Sequence, residues 1–284
     1  MSVRIIVDST SDLTPAIKER VHVVPLTVHF GEEEFIDGVT IDHKTFYEKL
    51  IESDVLPKTS QATPDSFAQI FEEVTKAGDS AVVLTLSSKL SGTYQSAMIA
   101  AADYSDNIYV VDTTTVAIGG GILTELALRL VDEGLTAAQI AQRITAEREN
   151  VCVVALLDTL EYLKKGGRIS KTVAFAGGLL SIKPVVSIKD GEILMLGKAR
   201  GSKQGNNLLV SQIEQAGGVD FSKPILLGYT GLSDHLLQKY MTDSAHLWQE
   251  STSELRTTVI GSVIGTHAGP GAIAVAFFKN TTND

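Results

Sequence analysis

SAVVLTLSSKLSGTYQSA, residues 80–97, passes from an unbroken apolar run into a loop of hydroxyls around Gly92, and then into a helical pattern. A strand of near-continuous Val and Leu is buried on both faces, as in a parallel sheet covered by helices. Working outward, RIIVDST (4–10), VHVVPLTVHF (21–30) and NIYVVDTTTVA (107–117) are further strands of the same kind. Between and after them, TPDSFAQIFEEVTKAG (63–78) and GGILTELALRLVDEG (120–134) have the helical period, and each closes on a glycine that suits a left-handed C-terminal cap.

A third helix, LTAAQIAQRITAERENV (135–151), leads into VCVVALLD (151–158), where the texture changes. LSIKPVVSIKDGEILMLGKARG (180–201) reads as two strands joined at Lys189-Asp190-Gly191, a hairpin signal, and PILLGYTG, TTVIGSVIGTH and AIAVAFF add strands. The expectation is an α/β protein of two domains. The first, 1–150, has a mostly parallel sheet covered by helices; the second, 151–284, has a mixed sheet.

The 284 residues, 44% apolar and 20% charged, are enough for more than one core. A net charge of −10, with the 24 basic residues scattered, argues against nucleic acid or an anionic membrane as a whole-protein partner. No apolar run approaches the ~20 residues of a membrane span, and MSVRIIVDST has no signal-peptide pattern. With Cys152 as the one cysteine, a disulfide is impossible within the chain, a zinc site has no support, and a cytoplasmic location is expected.

Strand ends in an open α/β sheet are where ligands bind, and VDSTSDL, TLSSKLSGT and VDTTTVAIGG all place hydroxyls, Gly or Asp there. Many such residues are helix caps, and Thr14-Pro15 and Thr63-Pro64 read as cap plus first-turn proline. In KTSQATP (58–64) this leaves Thr59, Ser60 and Gln61 without a capping role. Ser91, Gly92 and Thr93 either cap the following helix or, with its N–H groups, hold an anion. Phosphate chemistry has little support: GxxxxGK[ST] is absent, and IGGGIL has Thr124 where the third glycine of GxGxxG belongs. A serine hydrolase using His267 of GTHAGPGA remains an alternative, without a GxSxG elbow, as does a small-anion-binding protein. LEYLKKGGRISK (160–171) sets Arg168 beyond two glycines, where it can turn back to a carboxylate. Lys198, Arg200 and Lys203 of GKARGSK form a second basic cluster, either a solvated turn or a docking surface.

VDSTSDL, KTSQATP, SSKLSGTYQSA, VDTTTVAIGGG, LEYLKKGGRIS, GLLSIKPVV and THAGPGA, in this order along the whole chain, resemble the DegV family, which includes the fatty-acid-binding subunit of bacterial fatty acid kinase. The resemblance implies a carrier without its own catalysis or cofactor. It would bury a long-chain fatty acid and present the carboxylate to a separate ATP-binding kinase subunit, whose acyl-phosphate product enters phospholipid metabolism. It assigns the carboxylate to Thr59 or Ser60, Ser91, Gly92, Arg168 and His267, and partner docking to Arg200, with Lys203 beside it. The chain departs from the pattern at Ala62, where family members often have proline. The resemblance implies that the lipid tail lies in the second domain, 151–284, where FAGGLLSIKPVV (175–186), ILLGYTGL (225–232) and VIGSVIG (259–265) are the candidate apolar walls.

Overall fold

The computed structural model describes residues 2–104, 106–169, 182–249, 251 and 255–281. Residues 175–181 of the expected tail wall, and Lys171 of the basic stretch, lie outside them.

The chain forms two α/β domains. In the first, β1 (Val3–Asp8), β2 (His22–Val24), β6 (Ser80–Thr85) and β7 (Ile108–Asp112) make a parallel sheet in the order β2-β1-β6-β7. All six residues of β6 are buried, as its apolar run requires. One face of the sheet packs on α2 (His43–Glu52), α3 (Pro64–Lys76) and α4 (Thr93–Ala101) through Phe46, Phe67, Phe71 and Ala97. The other face packs on α5 (Ile118–Asp132) and α6 (Ala137–Glu147).

VHVVPLTVHF is not one strand. Pro25, which has no N–H for a ladder, separates β2 from β3 (Thr27–Phe30), and β3 joins an antiparallel sheet with β4 (Glu33–Ile36) and β5 (Lys58–Ser60). The KTS of KTSQATP is thereby a strand, so its side chains alternate between two faces.

The second domain is a six-stranded mixed sheet, β10-β9-β8-β13-β11-β12. Its strands are β8 (Val151–Leu156), β9 (Ile182–Lys189), β10 (Glu192–Arg200), β11 (Leu226–Tyr229), β12 (Thr257–Val259) and β13 (Ile273–Phe278). Only β11 and β12 pair in parallel. The β9–β10 hairpin turns at Asp190 and Gly191, both with positive φ (51° and 81°), as the two-residue turn demands. Among the described residues, the domain's helices include α7 (Glu161–Lys165), α8 (Gly201–Gln215) and α9 (His235–Asp243). A last helix, α10 (Ser262–Ala268), follows β12 and packs against α2 and α7.

One face of the mixed sheet is covered by α8 and α9 through Leu209, Ile213, Leu237 and Tyr240. Its other face shares α5 with the parallel sheet, so a single apolar cluster runs from Val7 and Leu84 through Ile122 to Val153 and Ala276. The glycine run permits this contact: a Cβ on Gly121 would come within 2.5 Å of the Asp12 carbonyl and 3.1 Å of Leu226. IGGGIL is therefore a close-packing device between two sheets.

Candidate functional site

The loops at the C-terminal ends of β6 and β7 face the shared side of the mixed sheet, and between them lies an apolar cavity of ≈ 930 Å³ including its mouth. Its floor follows the strand period: Val153, Ala155 and Leu157 from β8 and its end, Val186 and Ile188 from β9, Ile193 from β10, Ala272 and Ala274 before and on β13. Ala155 and Ala274 are direct cross-strand partners, so the middle of the floor is built from small side chains. The roof consists of Leu86, Leu90, Val116 and Ala117 from the strand-end loops, with Val263, Ile264 and Ala268 from α10. Of the expected walls, KPVV supplies Val186 and VIGSVIG supplies Ile260, Val263 and Ile264, whereas none of 225–232 lines the cavity.

Among the described residues, and apart from Ser187, its polar lining is Thr59, Ser60, Gln61, Ser91, Arg168 and His267, gathered at one end. Thr59 Oγ1 lies 2.9 Å from His267 Nε2, joining β5 to the last turn of α10. The ring of His267 fits because residue 166 is glycine; a Cβ there would collide with Nδ1. That Nδ1 is buried and has no hydrogen-bond partner among the described residues. Burial, and then the charge of Arg168, push His267 down to about 4, so the ring is neutral at pH 7 and carries one N–H and one lone pair. Arg168 does turn back past the glycines: its Nε donates to Leu90 O at 3.2 Å and its Nη1 to Gly166 O at 2.7 Å. It makes no salt bridge among the described residues. Because Leu90 adjoins Ser91, this contact completes the polar end.

Gly92, not Ser91, is the N-cap of α4; Ser91 stands one residue before it, its Oγ accepts the Thr93 N–H at 3.3 Å, and it lines the cavity. The hydroxyl lies 2.9 Å from Thr93 Oγ1, which accepts the Ala62 N–H at 3.4 Å. A proline at 62 could not donate that bond, which gives the departure at Ala62 a local role.

The structure separates Thr59 from Ser60. Strand alternation turns Thr59 inward, beside buried Val28, and turns Ser60 outward, where its Oγ lies 2.9 Å from His29 Nε2. Ser60 borders the cavity with its hydroxyl engaged elsewhere. Gly92 stands outside the lining; the Gln61 side chain lies against its Cα, where a Cβ would collide, and donates to Ser96 Oγ at 2.9 Å. Gln61 is thus a member of the polar end whose position sequence patterning did not reveal. Among the described residues no serine hydroxyl bonds His267, so the pair that a serine hydrolase would need is not assembled. Thr63 caps α3 by accepting the Ser66 N–H, while Thr14 stands at its cap position without a side-chain bond.

Arg200 and Lys203 are not brought to the polar end. They stand exposed at the close of β10 and in the first turn of α8, with the Arg200 N–H bonded to Gln204 Oε1 at 2.6 Å. Among the described residues, no group of three or more His, Cys, Asp or Glu is arranged to hold a metal, and no helix is long and apolar enough to cross a membrane.

Comparison with known proteins returns a family profile described as "Uncharacterised protein, DegV family", which matches residues 2–280. A DegV domain-containing protein of Caldanaerobacter subterraneus subsp. tengcongensis is 34% identical over 279 residues, covering 97% of this chain and 98% of the relative. Among solved structures, a DegV family protein from Thermus thermophilus described by its fatty acid binding superposes with a TM-score of 0.88 at 31% identity, covering 99% of this chain and 100% of its own. A stearic acid-binding protein from Eubacterium ventriosum superposes with a TM-score of 0.85 at 28% identity, covering 98% of each chain. With the profile and a relative both matched from end to end, the chain belongs to the DegV family.

Proposed function

We propose that this protein binds one long-chain fatty acid, with the tail on the Ala155–Ala274 floor and the carboxylate at Thr59, Ser91, Arg168 and His267. The observation that carries the reading is an apolar cavity whose polar lining among the described residues, Ser187 apart, is gathered at one end around a neutral histidine and a cation. The similarity to fatty-acid-binding DegV structures supports it. Burying a chain of ~14 methylenes at ~0.8 kcal/mol each gives on the order of 11 kcal/mol before ordering losses, so the tail supplies affinity. The carboxylate, costly to bury alone, is offset by hydroxyl and imidazole donors and the guanidinium.

In this reading the two halves, 1–150 and 151–284, divide the site: the first supplies Thr59 and Ser91, the second the floor, Arg168 and His267. The protein is a cytoplasmic carrier. A separate ATP-binding subunit docks at Arg200 and Lys203, the carboxylate oxygen attacks the γ-phosphorus of ATP, and ADP leaves. Reconstitution with such a subunit and labelled ATP tests this. Arg200→Glu should keep the lipid and lose acyl-phosphate formation; loss of lipid as well would refute the docking role, and full phosphorylation would refute it too.

A further inference from the structure

The helix that carries His267 is not capped by a side chain of its own segment. Gly261 is the N-cap of α10 and offers no side chain. A buried carboxylate from the parallel-sheet domain satisfies its start instead, with a second close by. Asp12 Oδ1 accepts the Gly261 N–H at 2.8 Å, and both carboxylate oxygens of buried Asp37 lie 3.9 Å from where a Cβ on Gly261 would stand. Tyr47 of α2 adds a bond to the Ile260 carbonyl at 2.9 Å, and its hydroxyl would come within 2.5 Å of a Cβ on Gly265. From Ser262 to His267 is about 7.5 Å of helix rise, little more than one turn, so a shift at the start is carried to the imidazole almost undiminished.

We propose that Asp12 is a positioning residue for ligand recognition: by capping α10 from the other domain it holds His267 against Thr59 and so favours a carboxylate head group. The inference rests on the assignment of His267 to the carboxyl end. Asp12 is suited to this in a neutral form. Its Oδ2 is buried with no partner among the described residues, and burial holds the carboxyl well above its ordinary range. Asparagine keeps the Oδ1 acceptor and puts an amide where the acid proton would be; alanine keeps neither.

The test compares the Kd of hexadecanoic acid with that of 1-hexadecanol for the wild type, Asp12→Ala, Asp12→Asn, His267→Ala and the Asp12→Ala/His267→Ala double variant. Asp12→Ala should lower the acid-over-alcohol preference about tenfold, the size of one hydrogen bond to a charged group. Asp12→Asn should restore it, and the double variant should show no further loss beyond His267→Ala. Equal weakening of acid and alcohol by Asp12→Ala, or failure of asparagine to restore the preference, would overturn the proposal. If His267→Ala itself leaves the preference intact, the site reading falls and this inference with it, a result distinguishable from failure of Asp12 alone. Gly265→Ala, which lifts the same helix from Tyr47 without touching either carboxylate, gives a second route should Asp12→Ala not fold. It should also lower the preference, and equal loss of both ligands would count against the proposal.

Discussion

Replacing Ala155 with leucine puts the account of the cavity at risk in two directions at once. Ala155 lies on the floor directly opposite Ala274, and leucine there projects three extra carbons into the space assigned to the tail. If it displaces about three methylenes at ~0.8 kcal/mol each, a long-chain acid loses about 2.4 kcal/mol, roughly 60-fold in Kd. An acid too short to reach the floor should be bound nearly as before. The ligand-free protein should respond oppositely, since added apolar atoms fill a void and commonly stabilise by roughly 0.5–2 kcal/mol. Titration calorimetry with decanoic and octadecanoic acids, beside thermal unfolding of delipidated protein, reads both effects. Unchanged octadecanoic acid binding in a folded Ala155→Leu variant would refute the placement of the tail on this floor. A fall in both Tm and all affinities would instead indicate overpacking of ordinary core.

Three other outcomes follow from particular contacts. Thr59→Val, which removes the hydroxyl beside His267 and keeps the shape, should weaken acid binding about tenfold and spare the alcohol; Ser60→Ala, on the opposite face, should change neither. His267, held at about 4 against an ordinary 6.5, binds fewer protons folded than unfolded, so its contribution is full above pH 6.5 and is lost as pH falls toward 4, roughly 3 kcal/mol in all. Burial raises Asp8, Asp12 and Asp37, which contribute oppositely: their stability is present below about pH 3.8 and is lost as pH rises. The difference between wild type and His267→Gln in urea unfolding at pH 7 and pH 4.5 isolates the histidine, and equal pH slopes would contradict its burial as a neutral ring. Gly92→Ala should leave Tm nearly unchanged, because the atoms a Cβ would meet are the far end of the exposed Gln61 side chain, which can swing aside; a large fall in Tm would show that Gln61 is held rigidly against residue 92.

Much of the architecture was legible because it rests on local rules. The apolar run of β6, the Asp190-Gly191 turn and the Thr63 cap each follow from residue type and spacing alone. What was not legible depends on partners distant in sequence. Pro25 marks a break, but nothing local says that the chain changes sheets there. The face of β5 that points inward, and hence the choice of Thr59 over Ser60, is decided by pairing with Val28. The missing GxGxxG pattern sets phosphate aside for Gly119–Gly121, but the close-packing role of these glycines shows only once the two sheets that press on α5 are known. Asp12 and Gly261 are 249 residues apart, and no pattern along the chain connects them.

The central claim, that the cavity holds a fatty acid by its carboxylate end, is tested most directly by native mass spectrometry of the purified protein followed by organic extraction of what it carried. The account predicts one long-chain acid per chain, retained by the wild type and released far more readily by His267→Ala. A protein that carries no acid, and takes up none when long-chain acids are supplied, would contradict it.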